Sequence, residues 1–87
     1  MYVLVTTEFR GVFFGKMKED KAPAEVTLEE SRNCIYWASS VGGVFGLAAT
    51  GPNDECRLGP VLEQQTFYKI TSVTPCSDEA VKAWQSA

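Results

Sequence analysis

Apolar and polar positions alternate along the first part of the chain in a way that predicts strands. Residues 2–7 (YVLVTT) are β-branched and apolar, which reads as a strand. Residues 8–11 (EFRG) make a turn, and residues 12–18 (VFFGKMK) return as a second strand of a hairpin. Gly15 inside that run predicts a bend or a close approach of another backbone. A polar turn follows at residues 19–24 (EDKAPA). In residues 25–29 (EVTLE), Val26 and Leu28 fall on one side and the polar residues on the other, the pattern of a half-buried strand. Residues 32–38 (RNCIYWA) read as another strand, with Ile35 and Trp37 on one face and Cys34 and Tyr36 on the other. Both faces carry bulk. One of Tyr36 and Trp37 is therefore expected in the core, and the other under a helix, at a subunit interface or in a ligand pocket.

The period then changes. Residues 39–43 form a glycine corner, and Val44, Leu47 and Ala48 follow at helical spacing in a short helix over residues 44–50. Gly51 and Pro52 stop it. Seven residues do not hold a helix alone, so this one must dock on the sheet. After an acidic loop at residues 53–55, residues 56–63 (CRLGPVLE) predict a short edge strand, with Pro60 favouring an edge. Residues 66–73 (TFYKITSV) predict one last strong strand; Val73 is out of phase with Ile70, which marks a bulge or the strand's end. Ser77 is a good helix N-cap with Asp78 and Glu79 in the first turn, and Ala80, Val81 and Trp84 follow at helical spacing. Trp84 is expected on the core. The expected fold is α+β: a small curled, mostly antiparallel sheet or SH3-like partly open barrel, with a short middle helix and a C-terminal helix, as one domain over residues 1–87.

Composition narrows the function. Eighty-seven residues bury a thin core, which makes oligomerisation a natural supplement. Eight Lys and Arg are scattered among eleven acids, for a net charge of −3. That balance argues against a nucleic-acid binder, which needs a basic face. Residues 1–5 carry no charged leader ahead of their apolar run, and the longest weakly polar run, residues 41–49, is too short to span a bilayer. Three cysteines spaced 22 and 20 residues apart fit free thiols in a reducing cytosol.

The candidate chemistry is binding rather than catalysis. The chain has no histidine, so Ser-His and Cys-His pairings cannot form, and no zinc-ligand spacing is present. The adjacent acids 29–30, 54–55 and 78–79 read as solvated or capping residues. No catalytic residue, metal site or cofactor is expected. Arg10, Arg32 and Arg57 each lie near a strand or turn boundary, where a guanidinium fork suits phosphate oxygens. Tyr36, Trp37, Phe45 and Tyr68 offer rings on which a base could stack. The expected ligand-binding set is Arg10, Arg32, Tyr36, Trp37 and Arg57.

A pattern runs through nearly the whole chain: G-V-x-F-G, then R-x-x-I-Y-W, L-A-x-x-G-P and P-C-S-x-E-A. It is carried by Gly11, Val12, Phe14, Gly15, Leu28, Arg32, Ile35, Trp37, Leu47, Ala48, Gly51, Cys56, Pro75 and Cys76. It resembles a family of small, functionally uncharacterised phage proteins. Ser31 stands where a second arginine would double the basic clamp. The stretch over strands two and three also resembles Sm-like barrels, in architecture only. The phage resemblance implies an accessory, counter-defence gene product acting in the host cytoplasm. Its leading form is a non-enzymatic homo-oligomer that sequesters a cyclic or signalling nucleotide between subunits. The alternatives are an anti-CRISPR-like inhibitor that binds a host defence protein, and a minor virion component.

Overall fold

The structure is a computed structural model of the chain, and it describes residues 1–8, 11–17 and 25–87. The turn expected at residues 19–24 lies outside the described residues, as does Arg10. The elements are β1 (Tyr2–Thr7), β2 (Val12–Met17), β3 (Val26–Tyr36), a 3-10 turn (Ser39–Val41), α1 (Gly43–Ala49), β4 (Arg57–Leu58), β5 (Leu62–Phe67), β6 (Ile70–Pro75) and α2 (Asp78–Ser86). This is the expected α+β architecture. Strand order is β4-β3-β2-β1-β6, with β5 also on β3, and every pairing is antiparallel.

Two strand expectations need correction. Residues 25–29 and 32–38 are not separate strands: β3 runs unbroken from Val26 to Tyr36. What separates the two expected runs is a bulge within this one strand. Glu30 and Ser31 together face Gly15, and Glu30 takes a φ of 52°. A Cβ on Gly15 would lie 2.9 Å from the Leu28 Cβ and 3.0 Å from the Glu29 carbonyl oxygen. The glycine is what lets β3 bend across β2 there. Conversely, residues 66–73 are not one strand. The chain turns at Tyr68 and Lys69, where Lys69 takes a φ of 55° and its carbonyl accepts the Glu8 N–H at 3.1 Å. The phase slip between Ile70 and Val73 is the expected bulge: the register of β6 against β1 shifts at Thr71, between the Thr6–Ser72 and Thr7–Ile70 pairs.

That turn forces the sheet to coil. β5 pairs with β3 and β6 pairs with β1, so in a flat sheet they would lie four strand spacings apart, about 19 Å. Three Cα steps from Phe67 to Ile70 reach about 11 Å at most. The sheet therefore closes partly around its inner face, which buries Val3, Val5, Met17, Val26, Leu28 and Phe67.

The outer face is closed by the helices. Leu4, Phe14 and Cys34 from the sheet pack there with Leu47 and Ala48 of α1 and with Ala80 and Trp84 of α2. Tyr2, Phe14 and Trp84 stack in a column, with centroids 5.3 and 5.0 Å apart and planes within 8°. α2 also supplies the donors that α1 lacks. The last four carbonyls of a helix have no partner within it. In α1 the Gly46 carbonyl accepts from the N–H groups of Thr50 and Gly51. The Leu47 carbonyl accepts the Trp84 indole N–H at 3.1 Å, the Ala48 carbonyl the Ser77 N–H, and the Ala49 carbonyl the Ser77 hydroxyl. Ser77 is at the same time the N-cap of α2, accepting from the Ala80 N–H. Gly51 completes the seam at a φ of 84°, where a Cβ would lie 2.5 Å from the Ala83 Cβ.

Trp84 thus fills the outer core and also satisfies α1. Trp84→Phe keeps an aromatic ring over Phe14 but strands the buried Leu47 carbonyl, and is expected to cost about 1–3 kcal/mol. Trp84→Ala also opens a cavity and is expected to cost about 3–5 kcal/mol. Urea unfolding followed by circular dichroism measures both; equal stability of the wild type and Trp84→Phe would refute the hydrogen-bond role.

Candidate functional site

The two helices leave part of the outer face uncovered. Outward positions on the sheet alternate, so Thr6 of β1 lies beside Val12 of β2 and Ser72 of β6, and Thr74 lies beside Leu4. Leu4 is under the helices, whereas Thr6, Val12, Ser72 and Thr74 line an open groove of about 600 Å³ with Gly11, Trp37, Val44 and Phe45. One wall is hydroxyl-bearing. The Thr6 hydroxyl pairs with that of Thr71 at 2.7 Å and with that of Ser72. The facing wall is aromatic. Trp37 leaves the end of β3 and packs partly on the outer core, while Phe45 on α1 is 81% exposed.

The local sequence fixes that aromatic wall. The 3-10 turn bonds Val41 N–H to the Ala38 carbonyl, and Gly42 reverses the chain into α1 with a φ of 85°. A Cβ on Gly46 would overlap the Val41 carbonyl, so α1 lies directly on the turn. This close seating turns Leu47 and Ala48 into the core and leaves Phe45 outward.

The five residues expected at a binding site are distributed. Trp37 lines the groove. Tyr36, one residue earlier, is 55% exposed and pairs in register with the exposed Arg57 of β4. Those two therefore stand side by side at the surface, one chain step from Trp37. Arg32 is elsewhere. Its Nε donates to the Gly59 carbonyl at 3.0 Å, and its Nη1 donates to the carbonyls of Trp84 at 2.9 Å and Ala87 at 2.7 Å. It acts as a cap on the last turn of α2, where the helix dipole favours a cation. Arg10 precedes the groove residue Gly11 and lies outside the described residues.

The expected split of Tyr36 from Trp37 holds, with Trp37 inward. The face assignment differs, because Cys34 and Trp37 contribute to the same outer core while Ile35 is exposed. The register of β3 against β4 slips between Cys34 and Tyr36, and β3 ends at Tyr36, so simple alternation stops there. Thr6, Ser72 and Thr74 were missed by the sequence reading. Their signal was present as hydroxyl residues at alternate positions, but the register of β1 against β6 was not.

No charged side chain lines the groove among the described residues, and no group of three or more His, Cys, Asp or Glu is placed to hold a metal ion among them. No helix among them is long and apolar enough to cross a membrane. All three cysteines are free. Burial first, and the neighbouring Cys56 second, push the Cys34 thiol up to about 11; burial alone does the same for Cys76.

A coiled antiparallel sheet with two helices on its outer face, and beside them an aromatic–hydroxyl groove with no charge among its described lining residues, defines a small α+β protein. Residues 1–84 match the family described as Domain of unknown function (DUF6948), and the chain belongs to that family. No curated protein and no solved structure matches the chain.

The thiols give a pH prediction. A thiol whose folded value is raised from 9.0 to about 11 keeps its proton in the folded chain after the unfolded chain has lost it. The stabilisation it contributes is complete below pH 9 and is lost as pH rises through about 11. Chemical denaturation should show falling stability over that window, and the fall should shrink in Cys34→Ala. An unchanged fall in both Cys34→Ala and Cys76→Ala would contradict the assignment.

Proposed function

We propose that this is a phage-encoded, non-enzymatic counter-defence protein that holds a cyclic or other signalling nucleotide in the host cytoplasm without turning it over. The observation that carries this reading is the groove between Trp37 and Phe45 on one side and Thr6, Ser72 and Thr74 on the other. A base is flat, apolar on its faces and polar at its edge. Such a groove offers rings for the faces and hydroxyls that can donate or accept at the edge. The described lining is uncharged, so in this reading the phosphate lies outside the groove, toward solvent, and Arg57, which pairs with Tyr36, is the arginine this reading assigns to it. Arg32, engaged by backbone carbonyls, holds the scaffold in this reading and does not contact the ligand. The phage origin rests on the sequence resemblance. Action as an oligomer rests on the small size of the core.

A second reading, an inhibitor that docks on a host defence protein, draws on the exposed apolar side chains of Ile35, Tyr36 and Phe45. Pull-down from host lysate separates the two, because a nucleotide sponge retains no stoichiometric protein.

Calorimetric titration with a panel of cyclic mono- and dinucleotides tests the first reading. At least one should bind, with its mass recovered unchanged. Loss of one stacking ring in Trp37→Ala or Phe45→Ala should weaken it by about 1–3 kcal/mol, or roughly 5- to 150-fold. Phe45→Ala should leave stability nearly unchanged, since that ring is in solvent. Absence of binding by every member of the panel would overturn the nucleotide reading.

A further inference from the structure

A second recess, of about 210 Å³, is lined by Phe14, Glu30, Arg32, Val61, Trp84 and Gln85, none of which lines the groove. It carries one carboxylate and one guanidinium, and both are held in place. Glu30 stands in the β3 bulge, and the Tyr2 hydroxyl is shared between its two carboxylate oxygens, 3.3 Å from each. Gln85 Nε2 donates to that hydroxyl at 3.1 Å and fixes it from α2. Arg32 is fixed by the carbonyls of Gly59, Trp84 and Ala87, which take the N–H of Nε and both of those on Nη1. A guanidinium has two more N–H groups, on Nη2, and these have no acceptor among the described residues. Through these bonds Glu30 meets a neutral phenol and Arg32 meets neutral carbonyls, so neither charge is answered by an opposite one.

We infer that this recess binds a small zwitterion of the amino-acid class. Its ammonium meets Glu30, its carboxylate meets Nη2 of Arg32, and a short aliphatic side chain rests against Val61 and the Phe14–Trp84 stack. A simple anion is attracted by Arg32 but repelled by Glu30, and a simple cation the reverse. Only a ligand with both signs is favoured by both residues. The volume is that of roughly seven waters at about 30 Å³ each, the bulk of one small amino acid. Because both side chains are already anchored, little freedom is lost when they engage a ligand. The site goes beyond the nucleotide reading and does not depend on it, since the two sites share no residue.

Nuclear magnetic resonance titration with valine tests it. Valine should shift the backbone amide signals of Glu30, Arg32 and Gln85 saturably and leave those of Thr6, Ser72 and Thr74 in place. Valinamide, which lacks the carboxylate, should bind about tenfold more weakly, because charge-assisted hydrogen bonds to Arg32 are lost. N-acetylvaline, which lacks the ammonium, should bind about fivefold more weakly, the smaller factor because Glu30 is exposed. Glu30→Gln should lose the same factor for valine, keep its fold by circular dichroism, and no longer distinguish valine from N-acetylvaline. Arg32 stays unchanged because it caps α2; valinamide tests its half of the site. Absence of saturable shifts, an analogue that binds as well as valine, or a Glu30→Gln variant that still distinguishes the two would overturn the site. Nucleotide binding is read at the groove residues, so either site can fail while the other stands.

Discussion

Trp84 stands where the sheet, α1 and α2 meet, and it does a different thing for each. For the sheet it is the outer member of the Tyr2–Phe14–Trp84 column, which covers β1 and β2 with aromatic area. For α1 it is the donor to Leu47, one of four carbonyls that a seven-residue helix cannot satisfy by itself. For α2 it is the buried anchor, and its own carbonyl is in turn held by Arg32 from β3. A short helix in a small protein has little stability of its own. Here the middle helix is held because the C-terminal helix caps it, and the C-terminal helix is held because the sheet caps it.

The groove follows from how far that cover extends. α1 and α2 protect the outer face over Leu4, Val12, Phe14 and Cys34, and leave Thr6, Ser72 and Thr74 only half-buried. The seating of α1 against the 3-10 turn fixes the facing wall, because Gly46 lies too close to Val41 for a side chain and so turns Phe45 outward. A scaffold constraint and a surface feature therefore share residues. The inner face is filled by Val3, Val5, Leu28 and Phe67 as the sheet coils on itself.

Much of this was legible in the sequence. The first hairpin, the middle helix with its Gly51 stop, and α2 with its Ser77 cap follow from local patterns, and their signals are short-range. Gly15 was legible as a close approach, but only the structure shows that it faces the Glu30–Ser31 bulge of a continuous β3. The β5–β6 turn was hidden because Tyr68 and Lys69 carry no turn chemistry, and Lys69 adopts a positive φ, its carbonyl accepting the N–H of Glu8 just past the end of β1. The site was legible in part. Aromatic residues at positions 36 and 37 had to diverge, and they do. Arg32 looked like a phosphate ligand because an arginine at a strand boundary gives no sign that a helix 52 residues later will need its guanidinium.

The central claim is that the indole N–H of Trp84 is a buried, bonded latch between the two helices. Hydrogen exchange at that single proton, followed by nuclear magnetic resonance, tests it most directly. The account predicts exchange as slow as that of the amides of Leu4 and Phe14 in the central strands, through global unfolding only. Exchange orders of magnitude faster than those amides would mean that α2 lifts from α1 while the sheet stays folded, and would contradict it.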